Sequence, residues 1–597
     1  MLDDETQTEN EPILDQRLID AVKAIIDKGS CAVSKPVRGG FTTSCVIACK
    51  ERNERLLILA PTSRILKETV SNASAGNIRI PGNIECPLIK ESVRYNQILA
   101  KLPLFLPNCD ECNASDWCYV REIHRAKDFL TVSLTYAKLE ALMVSVGPTA
   151  SEIRRKISTA DVVFLDESHQ LSLPNLVTVK ISKTLNVPSK YRSLRNVYRD
   201  WVTFCKYNSD FEYYLTEHAK DGYSGQNLSI PITNPNALTY VRQKKAWGQL
   251  RQIAEEKTMA DEDILSMRDI IIILSATELT IGFISAAPNE DVIYLMTGQS
   301  RQYQALKEFL TKRVFHAKHL YVSGTLFEPH PGYFSELSGK EVKNVLFPDI
   351  RETIKKLTLI PDRWKLSYKN FDEKFPEIVE TIKTIVAKEK QPIYLIAPNR
   401  KKAEKIRIRL EKERLSDIFV DYYRSDFSMG VKRHERVCIA LGMAETPVNS
   451  CDALARGETD EDRWIDSRRL RTQGVDASTW QAVYRVRDPA GQTESRVYFI
   501  GCRQERVLQV AMWGINRQAI LTNIKETTGS KCEIHKTPIF NIQVDEQIEL
   551  PKIYTDGRNE AHSQRRKISY YIKQIELCYK SFLAYKNHAI SSIYYYR

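Results

Sequence analysis

Short apolar runs alternate with amphipathic stretches near the start of the chain. Residues 14–28 place apolar side chains at helical spacing, which predicts an amphipathic helix. The runs Cys31–Ser34 and Leu56–Ala60 are typical of buried strands, and residues 45–51 between them are predicted to be a helix. This order predicts a parallel α/β sheet that is covered by helices.

The same alternation returns later in the chain. Residues 129–134 and the apolar run 162–165 are both predicted to be strands. In the second half, the apolar run Ile393–Ala397 is followed by a basic stretch with helical character over residues 400–414. A strand followed by such a helix indicates a second α/β unit.

Composition is that of a globular protein, with 43% hydrophobic and 27% charged residues. The net charge of +12 favours a polyanionic partner. Residues 1–11 are acidic and polar, unlike a signal or transit peptide. The most apolar stretch, residues 270–288, carries Glu278 in its middle and is predicted to be a buried strand pair rather than a membrane span. We therefore expect a cytoplasmic or nucleoid-associated protein without a transmembrane segment.

The run 162–165 leads directly into Asp166 and Glu167, and His169 follows two residues later. Nucleotide hydrolases use a strand end of this kind to present one carboxylate to Mg²⁺ and a second to the attacking water. We assign the metal to Asp166 and the role of base to Glu167. The alternative is an ordinary strand that ends at a solvated turn.

The loop over residues 35–44 contains Gly39, Gly40, Thr42 and Thr43 between the first strand and its helix. Backbone N–H groups at a helix start favour an anion, and a threonine hydroxyl can reach Mg²⁺. The loop therefore has the composition of a phosphate-binding loop, and a plain strand–turn–helix connection is the alternative.

Phe41 occupies the position at which such loops normally carry a lysine. Two neighbouring cations, Arg38 and Lys35, are candidates to replace it. Arg38 is the better placed of the two because it lies within the loop. We expect ATP hydrolysis to be weakened by this substitution.

The second strand ends in the sequence Pro-Thr-Ser-Arg, which includes Thr62 and Arg64. A hydroxyl and a guanidinium at a strand end can contact a nucleic-acid phosphate. A turn in which the threonine caps the next helix is the alternative.

Four cysteines stand together in sequence, apart from the other nine: Cys86, Cys109, Cys112 and Cys118. Four thiolates suit either an iron–sulfur cluster or tetrahedral zinc, and unligated thiols are a further alternative. The scattered arrangement of the others indicates a reducing compartment.

The order of these features resembles the XPD/DinG-like iron–sulfur DNA helicases of superfamily 2, of the archaeal DEAD/DEAH type. Those helicases place their cysteines between motif Ia, here Thr62 to Arg64, and motif II, here Asp166 to His169. Ser168 stands where many members have alanine. Residues 322–326 match the Ser-Gly-Thr-Leu form of a further helicase motif.

The second half resembles the same family at two motifs. Residues 424–431 resemble motif V, with Ser425 in place of a glycine and Lys432 in place of the following aspartate. Residues 481–488 resemble motif VI, with Tyr484 in place of a glycine and Asp488 in the slot of the second arginine.

The resemblance implies an α/β fold with two RecA-like domains, the first carrying a cysteine-bearing, iron–sulfur insertion and a mostly helical arch. It divides the chain into a first RecA-like domain (1–170, with the iron–sulfur insertion at about 80–126), an arch-like insertion (171–318), a return to the first domain with a linker (319–384), a second RecA-like domain (385–535) and a basic, Tyr-rich C-terminal extension (536–597).

The resemblance also implies which residues form the sites. The ATP and Mg²⁺ residues would be Gln16, Arg38, Gly39, Gly40, Thr42, Thr43, Asp166, His169 and Gly430. Catalysis would use Glu167, Arg485 and Gln481, and DNA would contact Thr62, Arg64, Arg424 and Ser428. A 4Fe–4S cluster, with zinc as the alternative, would be bound by Cys86, Cys109, Cys112 and Cys118.

These observations predict an ATP-dependent DNA helicase that moves on single-stranded or forked DNA, with 5′-to-3′ movement implied by the resemblance. DNA binding through phosphates would be salt-sensitive. The alternative is a scaffold that binds DNA and hydrolyses ATP weakly or not at all, which the departures at Phe41, Lys432 and Asp488 favour. DNA repair is among the pathways it could serve, and no protein partner can be read from the residues.

Overall fold

Two parallel sheets form the frame of the chain, and a smaller antiparallel sheet is inserted in sequence between residues 166 and 318, both of which belong to the first parallel sheet. The structure, a computed structural model, describes residues 16–35, 40–63, 65–66, 77–80, 98, 102, 130–145, 148–172, 175–180, 184–207, 229–234, 237–276, 278–282, 292–297, 303–324, 326, 330–347, 357–361, 371–415, 417–423, 425, 434–444, 467–486, 493–502, 507, 510 and 540–542.

The strands of these residues are numbered in chain order. They are β1 (Cys31–Ser34), β2 (Leu56–Ala60), β3 (Asn77–Arg79), β4 (Thr131–Thr135), β5 (Val162–Asp166), β6 (Asn175–Lys180), β7 (Ser229–Thr233), β8 (Glu278–Gly282), β9 (Val292–Thr297), β10 (Lys318–Ser323), β11 (Lys343–Leu346), β12 (Leu357–Pro361), β13 (Ile393–Ala397), β14 (Ile418–Tyr422), β15 (Val437–Leu441), β16 (Ser495–Ile500) and β17 (Phe540–Ile542).

The α-helices are numbered in the same way. They are α1 (Gln16–Asp27), α2 (Phe41–Glu51), α3 (Tyr136–Val144), α4 (Pro148–Ile157), α5 (Arg192–Tyr207), α6 (Tyr240–Glu256), α7 (Asp261–Leu274), α8 (Tyr303–Glu308), α9 (His330–Ser338), α10 (Phe375–Glu389), α11 (Arg400–Lys412) and α12 (Ser467–Val483). Short 3₁₀ turns span Ser168–Ser172 and Tyr484–Val486, and a π-helical turn spans Phe309–Arg313.

The first sheet has seven parallel strands in the order β11-β1-β10-β5-β2-β4-β3. Its central strands read as continuous apolar runs because helices cover both faces. Alternate residues of β5 point to opposite faces. Val162 and Phe164 pack with Leu18 and Val22 of α1, whereas Val163 packs with the helices on the other face.

The second sheet has six parallel strands in the order β14-β13-β15-β16-β12-β17. Tyr394 and Ile396 of β13 share a core with Val483, at the end of α12. The predicted strand Ile393–Ala397 is confirmed, and so is the helix after it, which runs over Arg400–Lys412. The two sheets confirm the predicted fold of two parallel α/β domains, and the domain boundaries in residue numbers stay predictions.

The interval predicted to be a helical arch contains α5, α6 and α7, which pack together through Trp201, Trp247 and Ile264. It also contains a four-stranded antiparallel sheet in the order β6-β9-β8-β7, which was not predicted. The strand pair expected over residues 270–288 is wrong, because Ile270 to Leu274 complete helix α7 and, among the residues of this stretch that the structure describes, only Glu278–Gly282 forms a strand. Periodicity cannot separate a short buried helix segment from a buried strand when every residue is apolar. In the described part of the chain, no helix is both long and apolar enough to cross a membrane.

Candidate functional site

Three neighbouring strands of the first sheet deliver polar residues to one edge. Strand β10 pairs with β1 on one side and with β5 on the other, and all three run parallel. Their carboxyl ends therefore meet at the same edge of the sheet, where ligands bind in open α/β folds. Lys35 follows β1, Ser323 ends β10, and Asp166 ends β5.

Asp166 is buried at this edge and forms an ion pair with Lys35. The Lys35 Nζ atom lies 2.7 Å from Asp166 Oδ1 and 3.5 Å from the hydroxyl oxygen of Thr42. The Tyr136 hydroxyl donates to the backbone carbonyl of Asp166 at 2.8 Å. A carboxylate and a hydroxyl oxygen thus flank one cation, and Mg²⁺ prefers oxygen ligands of this kind. The donor set fits the predicted Mg²⁺ site.

Glu167 is 4% exposed and has a backbone φ of +48°, in the left-handed region. One carboxylate oxygen, Oε2, accepts a hydrogen bond from the Ser323 hydroxyl at 3.2 Å. His169 Nδ1 lies 2.8 Å from that hydroxyl oxygen and 3.4 Å from Glu167 Oε2. Because the Ser323 hydroxyl gives its one proton to Glu167, it accepts from the N–H of His169. Glu167 Oε2 is therefore contacted by Ser323 and His169, which both belong to the domain built on the first sheet.

The other carboxylate oxygen of Glu167, Oε1, is contacted by residues at the end of α12. The Gln481 side-chain amide donates to it at 2.9 Å, and Arg485 Nη2 lies 3.9 Å away. Gln481 and Arg485 are four residues apart and lie on the same side of the helix end. The structure thus brings Glu167 together with Gln481 and Arg485, two other predicted catalytic residues that lie more than three hundred positions later in the sequence.

Two opposing effects act on the Glu167 carboxyl. Burial and the neighbouring Asp166 carboxylate raise its pKa, while Lys35, Arg485 and the hydrogen bond from Gln481 act in the other direction. The net result is a raised pKa. A carboxylate with a raised pKa is a better proton acceptor, which suits the role of a general base.

Helix α2 begins at Phe41, four residues before the predicted start at residue 45. Gly40 precedes it with φ +74°, a conformation that glycine adopts without strain. Phe41 is 1% exposed and packs edge-on against Phe347, with ring centroids 4.6 Å apart, and against Phe164 at 5.8 Å. The helix begins early because its first side chain is part of the core.

The remaining predicted site residues either form contacts outside the acidic pair or lie outside the described part of the chain. Gln16 is exposed, and its side-chain amide donates to Asp20 on its own helix at 3.0 Å. Thr62 accepts a hydrogen bond from the Ile65 backbone N–H at 3.4 Å, so the helix-cap interpretation fits its geometry. Thr43 is partly buried in the first turn of α2. The predicted residues outside the described part are Arg38, Gly39, Arg64, Arg424, Ser428, Gly430, Cys86, Cys109, Cys112 and Cys118.

Two departures from the family motifs have structural explanations. The Ser425 hydroxyl and the Tyr394 hydroxyl both donate to Asp421 Oδ2, at 2.7 and 2.9 Å. Tyr484 is buried and stacks on Trp480, with ring centroids 4.7 Å apart. Both substitutions replace a glycine with a side chain that packs or bonds within the second domain.

Tyr136 and Ser323 contact the acidic pair but were not predicted as site residues. Ser323 could have been found, because it lies within the Ser-Gly-Thr-Leu motif that was recognised. Tyr136 follows Leu134 and Thr135 in another stretch that resembles the family, but its contact with a backbone carbonyl leaves no signal in the sequence.

The described residues contain no cluster of three or more histidine, cysteine, aspartate or glutamate side chains placed to hold a metal. The four cysteines of the predicted iron–sulfur site lie outside those residues, so the cluster stays a prediction.

No protein-family model and no curated protein matches the chain. Among solved structures, an XPD helicase matches with a TM-score of 0.50 and 12% sequence identity, covering 85% of this chain and 97% of that one. An Xpd4 structure from S. tokodaii matches with a TM-score of 0.43 and 12% identity, covering 84% and 97%. The chain therefore shares the fold of the first of these two structures, the XPD helicase, with two RecA-like domains built on its two parallel sheets.

Proposed function

We propose that this protein is an ATP-dependent DNA helicase or translocase that hydrolyses ATP between its two RecA-like domains. One observation carries the proposal: the two carboxylate oxygens of Glu167 are held by residues of different domains. Ser323 contacts one oxygen, and Gln481 contacts the other. Because Glu167 is contacted by both domains, the position of its carboxylate depends on how the two domains are placed relative to each other.

The residues at the sheet edge have complementary roles in this proposal. Asp166 and Thr42 would hold Mg²⁺, which neutralises charge on the phosphate oxygens when it is bound. The backbone N–H groups that open helix α2 would face the phosphates. Glu167 accepts a proton from the attacking water.

Gln481 and Arg485 contribute from the second domain. The Gln481 amide orients the Glu167 carboxylate through its 2.9 Å hydrogen bond. The Arg485 guanidinium, 3.9 Å from Glu167 Oε1, would offset negative charge that develops on the transferred phosphoryl group. Catalysis therefore requires that the two domains be closed on each other.

DNA would cross both domains through phosphate contacts, with Thr62, Arg64, Arg424 and Ser428 as the proposed contacts. The net charge of +12 supports a polyanionic partner. Movement in the 5′-to-3′ direction and a preference for single-stranded or forked DNA rest on the resemblance to XPD-like helicases.

ATP turnover by the purified chain tests this function directly. We expect hydrolysis to rise when single-stranded DNA is added, because DNA bound across both domains would stabilise the arrangement in which Gln481 and Arg485 contact Glu167. DNA affinity should fall by about tenfold or more between about 50 and 200 mM salt, as counterion release requires. A chain that binds DNA but shows the same negligible turnover with and without it would be a scaffold instead.

The iron–sulfur proposal has its own measurement. We propose that Cys86, Cys109, Cys112 and Cys118 bind a 4Fe–4S cluster. Anaerobically purified protein should be brown and contain about four irons per chain. Replacing Cys112 with serine should remove the iron, whereas the same change at Cys205, on helix α5, should not. Stoichiometric zinc without iron would reject the cluster and support a zinc site.

A further inference from the structure

We propose that Lys35, which follows strand β1, is the cation that contacts the β- and γ-phosphates of bound ATP. It would replace the lysine that phosphate-binding loops normally carry. This inference rests on the proposed function and names the residue that completes the site. The loop cation contributes to catalysis because it offsets charge that grows on the phosphates as the bond breaks.

The usual lysine position cannot supply this contact. Phe41 occupies it and is buried between Phe164 and Phe347 in the core beneath the sheet. Its ring has neither charge nor a hydrogen-bond donor. Any cation at the phosphates must therefore come from another part of the chain.

The main chain at Lys35 is fixed by the sheet. Its backbone N–H donates to the Ser323 carbonyl at 3.0 Å, which continues the pairing of β1 with β10. The side chain leaves this point toward the site, and Nζ reaches both Asp166 and Thr42. The ammonium thus already lies among the residues proposed to hold Mg²⁺ and phosphate.

The ion pair with Asp166 also compensates for the burial of the Lys35 side chain. Burial of an unpaired ammonium is costly, and the Asp166 carboxylate at 2.7 Å removes that cost. When Mg²⁺ takes the carboxylate, the ammonium needs a new anionic partner. The phosphates arrive together with the metal, and the flexible four-carbon stem of lysine allows Nζ to turn toward them.

A purely structural ion pair is the competing explanation for the same contact. In that case Lys35 would hold Asp166 in place but would not touch the nucleotide. The two explanations differ in which nucleotides are affected. With EDTA in place of Mg²⁺, a direct phosphate contact still favours ATP and ADP, which have the distal phosphates, over AMP, which lacks them. A residue that acts only by holding Asp166, and through it the metal, does not discriminate under that condition.

The test measures binding of ATP, ADP and AMP to the full chain by competition with a fluorescent ATP analogue, once with Mg²⁺ and once with EDTA in its place. The variants are Lys35→Met, which keeps the length but removes the charge, and Lys35→Gln, which can still donate a hydrogen bond to Asp166. Arg38→Met tests the loop cation, and Lys50→Met, at the exposed far end of α2, is the matched control.

We expect Lys35→Met and Lys35→Gln to weaken ATP and ADP binding by about ten- to a hundredfold while AMP binding changes little, as loss of a charge-assisted contact predicts. Lys50→Met should match the natural chain. Thermal unfolding of each variant identifies any that fail to fold. If Lys35→Met does not fold, Lys35→Gln alone is compared with the natural chain.

Three outcomes would overturn the inference. If both Lys35 variants keep the natural preference for ATP over AMP in EDTA while the natural chain hydrolyses ATP with Mg²⁺, the inference fails and the proposed function stands. If only Arg38→Met loses that preference, the loop arginine holds the phosphates. If the natural chain neither binds nor hydrolyses ATP, the inference and the proposed function fail together.

Discussion

Replacement of Glu167 with glutamine is expected to lower DNA-stimulated ATP turnover by about a hundredfold or more, because the site loses its general base. Glutamine has nearly the same size, and its carbonyl oxygen can still accept the hydrogen bond from Gln481. Its amide can donate to the Ser323 hydroxyl, which then turns to act as an acceptor. The left-handed backbone at φ +48° is equally strained for both side chains. We therefore expect ATP binding to persist.

The measurement is steady-state turnover with saturating single-stranded DNA, together with ATP affinity for the same preparation. Glu411→Gln is the control, because Glu411 is an exposed acid on helix α11. Turnover that stays within about tenfold of the natural chain would show that another group takes the proton from water. If the natural chain and the Glu167 variant are equally inactive, the scaffold alternative is correct.

Replacement of Phe41 with lysine is expected to destabilise the first domain rather than restore a phosphate-binding loop. The ring is 1% exposed and packs on Phe347 and Phe164, so its removal leaves a cavity in the core. Loss of a buried phenylalanine costs about 3–5 kcal/mol in the free energy of unfolding. The lysine can extend its charged end to water, but its stem fills little of that cavity.

The midpoint of urea unfolding measures this effect, and DNA-stimulated turnover of the folded fraction measures function. Phe41→Leu is the matched control and should cost only about 1 kcal/mol, because leucine fills most of the same space. We expect no gain in turnover for the lysine variant. A stable variant with raised turnover would mean that this side chain points toward the nucleotide and not into the core.

The main strands and the acidic pair could be predicted because each depends on a local pattern. Val162–Asp166 is an apolar run that ends in a carboxylate, and the structure has the strand with those bounds. The association of Gln481 with Glu167 was predicted only through the family resemblance, since no local pattern connects positions so distant in sequence.

The elements that were missed depend on tertiary packing. The early start of helix α2 follows from the place of Phe41 in the core, and a motif cannot show toward which face a side chain points. Lys35 was ranked below Arg38 because Arg38 lies within the loop; the structure shows Lys35 in contact with Asp166, and Arg38 lies outside the described residues. The antiparallel sheet β6-β9-β8-β7 was missed because β6 pairs with β9 and β7 pairs with β8 across long intervals of sequence.

The packing of Phe41 has a consequence for how this sequence can change over time. A lysine at that position would restore the common loop pattern by substitution at a single position, but the intermediate protein would lose several kcal/mol, a large share of the stability that a typical domain possesses. A change to the common pattern would therefore pass through a poorly folded intermediate unless a second substitution near Phe347 or Phe164 first fills the space. We therefore expect substitutions at position 41 of the loop to occur together with substitutions in the core that contacts it.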